Sequence, residues 1–544
     1  MLWQLSLEKR KIILHTMLLL ILSLEEYNAY ARLLMLHLTS SLSLPLKALQ
    51  ESEISVAQTL GKTAGEFNPD EIVKEKAEEN KNTKKIKVGL AGLAGAALVG
   101  VTGGLAAPLV AAGVGTMLGG LGLGATAAAG LLGTVAESGV VVGALFGIYG
   151  AKASVKSMES YARDIQDFAF IPLHGQLQKE IKDTKEIHHQ DRRLRVVICI
   201  SGWLTKEEDV VNPWRCIGDQ AEVYALRWEL TALMNMGNSL ETVIKSTAWS
   251  VAKKEIISRT STPPELEQQM RSANCDVVFA SLMEGLWPLG LLKINKIIDN
   301  PWSMGMVRAE KAGLVLADTI QRKLQGGRPI SLIGYSLAAR AIYTCLMVLA
   351  ERRQFGLVDS VVLIGTPAPS ETRVWLTLKS VVAGRLVNVF SENDYILGFL
   401  YRMSNIQFGI AGLQEVRGVR GVENYDVSNL VSGHLRYQYL IGTILKNIGW
   451  EDVDLEQVAR EEAVLREMDQ NYNKDKHKMA EQDSTDMDMD KEVARIEKEL
   501  KEKNEWTHTQ GRSRGGGGGG RRGGRRNNHR ARGEPKTGRS TIQT

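Results

Sequence analysis

The chain of 544 residues has only four cysteines, Cys199, Cys216, Cys275 and Cys345, and they form neither CxxC pairs nor zinc-type spacings. Neither a disulfide framework nor a thiolate metal site therefore organises the fold, and a reducing compartment fits. Two of the four lie in apolar runs, where a buried thiol behaves as a small hydrophobe. A phosphate loop is missing as well. Glycine-rich stretches such as "LAGLAGAALVG" lack a strand-to-helix phosphate loop, so no nucleotide or metal cofactor is expected. An A-x-A cleavage pattern is absent after the apolar start "KRKIILHTMLLLILSL" (9–24), and Glu25 and Glu26 follow it directly. Core helices are expected there instead of a cleaved leader.

The most informative absence is of charge. From 88 to 136 run 49 residues without a single ionisable side chain, rich in Gly and Ala. One bilayer crossing takes about 20 such residues, so this stretch has the length for two, with Pro108 or Gly119-Gly120 near the bend. Small residues recur every fourth position (Gly92, Ala96, Gly100, Gly104), which lets helices approach closely in lipid. Lys84, Lys85 and Lys87 precede the stretch, and Lys152 and Lys156 follow it. The positive-inside tendency then places both ends on the cytoplasmic side of a hairpin spanning 84–152. A Gly/Ala hairpin buried against protein is the competing expectation.

The net charge of +5 is unevenly held. Residues 512–539 carry nine Arg, one Lys and one Glu, a net +9, so the remainder is at −4. This Arg/Gly tail (511–544) cannot bury a core and reads as disordered. Arginine supplies phosphate contacts for RNA, but aromatics to stack bases are absent, which makes RNA the weaker partner expectation beside protein partners through 451–544. Before the tail, 451–510 has helical apolar spacing within dense mixed charge, suited to a coiled coil or a solvated helix.

Between these biased ends the rhythm is α/β. Apolar runs at 195–203, 221–228, 328–336, 358–367 and 385–394 alternate with helical stretches, as in a mainly parallel sheet covered on both faces. The expected organisation is an N-terminal helical region (1–83), the apolar segment (84–152) and a connecting helix (153–192). An α/β domain follows (193–450) with a helical insertion (229–311) holding Trp249, Trp287 and Trp302. That insertion is either core or a lid and acyl-chain pocket.

Within the α/β domain, "PISLIGYSLAARAIY" sets a Gly-x-Ser-x-Ala step between a strand and a helix. A serine there sits on a strained turn at the positive end of the helix. Gly334 avoids a collision with the turn, and Ala338, one methyl larger than the usual glycine, lets the helix pass the neighbouring strand. A serine hydroxyl needs a base, and the base an acid. In chain order Ser, acid, His, the candidates are Ser336, Asp394 (with Glu392 as the alternative acid) and His434, the one histidine after Ser336 that precedes the charged tail. The oxyanion donors are expected to be the amide of Leu337 and one from Gly202, Trp203 or Leu204 in "ISGWL".

With these residues in place, "ISGWL", "LIGYSLAAR", "VVLIGTPAP", "FSENDYILGFLYR" and "VSGHLRY", in this order behind a Gly/Ala-rich apolar segment, resemble the transmembrane and coiled-coil domain-containing protein 4 family of α/β-hydrolase-like membrane proteins. The resemblance covers roughly residues 20 to 450. It implies an α/β-hydrolase fold and membrane association, and Ala338 departs from the glycine the family pattern has there. The expected function is a membrane-associated serine hydrolase acting on a lipid or acyl ester, its catalytic domain on the cytoplasmic side. The alternative is a non-catalytic membrane trafficking protein or scaffold that keeps the hydrolase shell.

Overall fold

The computed structural model describes residues 5–24, 26–66, 145–146, 165, 167–175, 187–246, 249–250, 253, 289–323, 325–403, 409–431, 433–480 and 489–514. Among them, seven strands form one sheet: β1 (Ala169–Pro172), β2 (Val196–Ile200), β3 (Glu222–Arg227), β4 (Ile330–Tyr335), β5 (Val358–Ile364), β6 (Leu386–Phe390) and β7 (Val422–Asp426). Their spatial order is β1-β3-β2-β4-β5-β6-β7, with every pairing parallel except β1 against β3. Every residue of β2, β4 and β6 is buried. Burial on both faces is why these strands read as unbroken apolar runs. The fold is α/β.

Helices α4 (Leu230–Lys245), α5 (Leu289–Gln321), α6 (Leu337–Glu351), α7 (Thr372–Val381), α8 (Tyr395–Met403) and α9 (Tyr437–Asn447) accompany the sheet. Helix α5 lies along α6, close enough that a Cβ on Gly313 would stand 2.4 Å from the Ala341 carbonyl oxygen. Trp249 and Trp302 are buried in the main core, and the Trp249 ring meets Phe399 of α8 edge-on at 6.2 Å. Trp287 lies outside the described residues.

Three N-terminal helices, α1 (Leu7–Leu22), α2 (Ala29–Ser41) and α3 (Leu46–Glu66), make a second hydrophobic cluster through Leu14, Leu18, Met35, Leu49 and Leu60. Leu145 and Phe146, the described residues of the apolar segment, are buried in the same cluster. The rest of 84–152 lies outside the described residues, as does the Arg/Gly tail from 515. Among the described residues, no helix is long and apolar enough to cross a membrane.

The charged stretch after the sheet is helical over α10 (Leu455–Ala480) and α11 (Met489–Arg514). Both dock on the body. Val458 of α10 meets Gly442 of α9, while Ile496 and Leu500 of α11 enter the main core. Asn238 Nδ2 of α4 donates to Asn504 Oδ1 at 3.3 Å, and Lys503 Nζ donates to Thr242 Oγ1 at 3.1 Å.

Candidate active site

Ser336 stands between the last residue of β4 and the first of α6, with φ 56° and ψ −127°. That left-handed φ is costly for a side chain other than glycine and persists only where surrounding packing enforces it. Here the Ser336 amide donates to the Ile364 carbonyl at 2.9 Å, and its own carbonyl accepts the Arg340 amide at 3.1 Å. The turn is thus pinned to β5 on one side and to its own helix on the other. Gly334 is tight as expected: an added Cβ would lie 2.7 Å from Ile342 Cδ1 and 3.3 Å from the Ala338 Cβ. Ala338 itself is fully buried, so its methyl is accommodated because position 334 has none.

Ser336 Oγ lies 2.6 Å from His434 Nε2, and His434 Nδ1 lies 2.6 Å from Asp394 Oδ2. Ser336 is 1% exposed, and His434 and Asp394 are fully buried. Three residues far apart in sequence therefore form one hydrogen-bonded chain. The second oxygen of Asp394, Oδ1, accepts the Leu397 amide at 3.1 Å at the start of α8, which fixes the carboxylate's rotation. Glu392 is not the carboxylate on His434, and its amide donates to Ser428 Oγ at 2.9 Å.

The loops carrying acid and imidazole are laced to each other. Ser391 Oγ donates to the Val431 carbonyl at 3.1 Å, and Asn393 Nδ2 donates to the Ser428 carbonyl at 2.9 Å. The Tyr437 ring packs edge-on against His434 at 5.7 Å. Burial, then the charge of Asp394, pushes the Tyr437 phenol well up, so it stays neutral beside the imidazole.

Opposite Ser336 sits the loop after β2. A Cβ on Gly202 would lie 1.9 Å from the Tyr335 carbonyl oxygen, 2.8 Å from the Leu337 nitrogen and 2.9 Å from the Ser336 Cβ. Only glycine permits that approach, and it brings the 202–203 backbone beside the Leu337 amide. Leu337 is the first residue of α6, where the N–H has no acceptor within the helix. One expected donor fails: the Leu204 amide donates to the Leu233 carbonyl at 3.2 Å, so α4 has already taken it. Gly202, Trp203 and Leu337 remain as the candidate donors.

Three aromatic side chains that were not among the sequence candidates, Tyr335, Trp214 and Trp228, support this loop or its neighbour strand. Tyr335 O–H donates to the Trp203 carbonyl at 3.2 Å, Trp228 Nε1 donates to the Ser201 carbonyl at 3.1 Å, and Trp214 Nε1 donates to Ser201 Oγ at 3.0 Å. The Trp203 and Trp214 rings both meet Tyr335 at 5.9 Å. A tryptophan shortly after each of two strand ends was the available signal. Helix α5 packs on the residue after the serine, since a Cβ on Gly305 would stand 2.6 Å from Leu337 Cδ1. Among the described residues no group of His, Cys, Asp and Glu is arranged to hold a metal ion.

Comparison with known proteins places the chain in a family. Residues 80–451 match the family described as "Protein of unknown function (DUF726)". The chain is 37% identical over 512 residues to the "Uncharacterized membrane protein C6F6.13c" of Schizosaccharomyces pombe, covering 92% of this chain and 83% of that protein. It is 34% identical over 437 residues to the rice "Transmembrane and coiled-coil domain-containing protein STS1", covering 78% of this chain and 61% of that one. It is 30% identical over 325 residues to the Saccharomyces cerevisiae "Probable lipase MIL1", covering 58% of this chain and 27% of that protein. No solved structure matches. The chain belongs to the DUF726 family, in line with the resemblance to the transmembrane and coiled-coil domain-containing protein 4 family carried by its motifs.

Proposed function

We propose that this chain is a membrane-associated serine hydrolase of the α/β-hydrolase fold that cleaves an ester of a lipid or acyl substrate. The observation carrying this reading is the chain of two 2.6 Å contacts from Ser336 through His434 to Asp394, with the serine at positive φ on a strand-to-helix turn. Few structural roles require a strained serine to face a buried imidazole that faces a buried carboxylate.

In the proposed reaction Ser336 Oγ attacks the ester carbonyl carbon while His434 Nε2 takes the hydroxyl proton. Asp394 holds the imidazole through Nδ1 and stabilises the imidazolium. The amides of Leu337 and of Gly202 or Trp203 receive the developing oxyanion. Collapse breaks the C–O bond, and His434 returns the proton to the leaving alcohol. Water then attacks the acyl-serine, giving its proton to His434, and the freed acid departs with Ser336 Oγ reprotonated.

The substrate class rests on what surrounds the serine. Leu337 begins the helix after the serine, Trp302 is buried on α5 within a turn of the Gly305 that meets Leu337, and Trp249 packs on Phe399 of α8, the helix after Asp394, and a relative carries the name of a probable lipase. The membrane part rests on relatives named as membrane proteins and on the uncharged 88–136 run. In this reading the 84–152 segment inserts as a hairpin with the catalytic domain on the cytoplasmic side.

The test is covalent labelling of the purified full chain by a fluorophosphonate, followed by peptide mapping. A phosphonylated Ser336, lost in Ser336→Ala, is expected. An unlabelled wild type, or equal labelling of both proteins, overturns the reading.

A further inference from the structure

Strand direction gives the molecule two poles. The Ser336 turn, the Asp394 loop and the loop after β2 all lie at the carboxyl ends of parallel strands. The N-terminal helices meet the body at the opposite edge. Arg32 of α2 pairs with Asp359 near the start of β5 at 2.9 Å and with Glu451 at 2.6 Å. The Ala29 amide donates to the Gly356 carbonyl, just before β5, at 2.9 Å. A Cβ on Gly61 of α3 would lie 2.8 Å from the side chain of Arg192, just before β2.

Residues before and within the apolar segment belong to this second pole. Helix α3 ends at Glu66, and Leu145 and Phe146 are buried among the same helices. The Phe146 ring meets the guanidinium groups of both Arg192 and Arg328, at 5.0 Å and 5.1 Å. Arg328 also lies just before its strand, β4. The described residues on either side of the 49 uncharged ones, α3 up to Glu66 and then Leu145 and Phe146, thus lie at this pole.

The same pole exposes large apolar side chains that nothing among the described residues covers. Leu24 is 73% exposed at the end of α1, with Leu20 exposed one turn before it. Tyr30 and Leu34, one turn apart on α2, are exposed as well, and so is Phe355 beside the Gly356 against which Tyr30 packs. The charges nearby nearly balance. Arg322, Lys323, Arg352 and Arg353 stand with Glu26, Asp318 and Glu351, and Lys323 pairs with Glu26 at 2.6 Å while Arg352 pairs with Asp318.

We infer that the pole formed by α1, α2 and the 352–356 loop is a docking face for a phospholipid bilayer, seated by Leu20, Leu24, Tyr30, Leu34 and Phe355, and that Ser336 consequently lies at the pole turned away from the membrane carrying the chain. The inference rests on the membrane part of the proposed function and is independent of the chemistry at Ser336. Leucine and phenylalanine enter the acyl boundary, and tyrosine suits the headgroup level. Balanced charge makes the contact apolar and indifferent to lipid charge.

The test uses full-length chain with Cys275→Ser, leaving the buried Cys199, Cys216 and Cys345. An environment-sensitive fluorophore is attached at Leu24→Cys, Leu34→Cys or Phe355→Cys, with Leu430→Cys, an exposed leucine at the opposite edge, as control. Each protein is reconstituted into phosphatidylcholine vesicles carrying nitroxide on the acyl chain. The three pole probes are expected to shift to the blue and lose most of their emission, while the Leu430 probe keeps its own, with or without anionic lipid. Chain that floats with vesicles yet shows pole probes no more quenched than the control overturns the docking face alone. Probes shielded from aqueous iodide but not reached by nitroxide overturn it too, because protein then covers the face. A chain that does not float with vesicles overturns both this face and the membrane reading.

Discussion

Gly202 and Asp394 bear the sharpest demands placed on single residues. Alanine at 202 would put a methyl 1.9 Å from the Tyr335 carbonyl oxygen, an approach no side chain makes, and that carbonyl is backbone that cannot swing aside. Gly202→Ala must push the 202–204 loop away from the Leu337 amide, separating the two proposed oxyanion donors. A loss of about 100-fold in esterase kcat is expected, the size seen when one such donor is removed, with phosphonylation of Ser336 slowed in parallel. Asp394→Asn removes the acceptor that sets the His434 tautomer and should cost about 10⁴-fold, as in the Ser-His-Asp enzymes where that change has been measured. Glu392→Gln should leave the rate within a few-fold, because Glu392 is not the carboxylate on the imidazole. Equal losses in the two acid variants, in a kinetic assay with a short-chain ester, would reverse the assignment. These residues were legible from sequence because strand, turn and chain order constrain them locally. The choice among Gly202, Trp203 and Leu204 was open in sequence for the opposite reason: the Leu204 amide is taken by Leu233, a partner that only the packing of α4 on that loop supplies.

Among the elements, α5 packs on the helix that starts at the serine turn. It rests on α6 through Gly313, where a side chain would meet the Ala341 backbone oxygen at 2.4 Å, and over the serine turn through Gly305. Arg308 Nη1, one turn from Gly305, reaches Glu229 Oε1 at 3.1 Å at the head of α4. Gly313→Val overpacks a backbone contact and should destabilise by about 1–3 kcal/mol, measured by urea unfolding. It should also speed fluorophosphonate labelling, because α5 then sits less closely over Leu337. Slower labelling at unchanged stability would contradict that role. Helix α11 is bound by the same logic. Leu500→Asp places a carboxylate in the core beside α4 and should cost several kcal/mol. The central strands were visible in sequence as apolar runs, but the two edges were not. β1 is a short apolar piece of four residues ending in Pro172, inside the stretch expected to be a connecting helix, and β7 reads "VENYD" with its side chains largely exposed and so has no apolar run to show. An edge strand is defined by its single neighbour, and composition carries little trace of that.

Across the whole molecule, buried ion networks at the amino edge of the sheet join segments that the chain order keeps far apart, and none of them has a sequence signature. Arg32, Glu53, Arg195, Asp359 and Glu451 form one network, and Arg192, Arg328, Glu222 and Tyr224 another. Each member looks in sequence like an ordinary surface charge. The second network clamps Phe146, so it ties the returning end of the apolar segment to β3 and β4. Burial alone would raise the Glu222 carboxyl, but Arg328 at 2.6 Å and then Arg192 outweigh it and hold the group below the ordinary glutamate value. A carboxylate depressed in the folded state contributes stability that is fully present above the unfolded value of 4.5 and is lost as pH falls through the folded one. Glu222→Gln leaves two buried guanidinium groups without their carboxylate and should cost about 3–5 kcal/mol at pH 7. On acidification the wild type surrenders its advantage while the glutamine variant has none to lose. The stability gap, measured by urea unfolding, should therefore narrow steadily below the glutamate range. A gap that stays constant from pH 7 down to the acid limit of folding would mean that the charge on Glu222 does not hold the arginines and Phe146 in place.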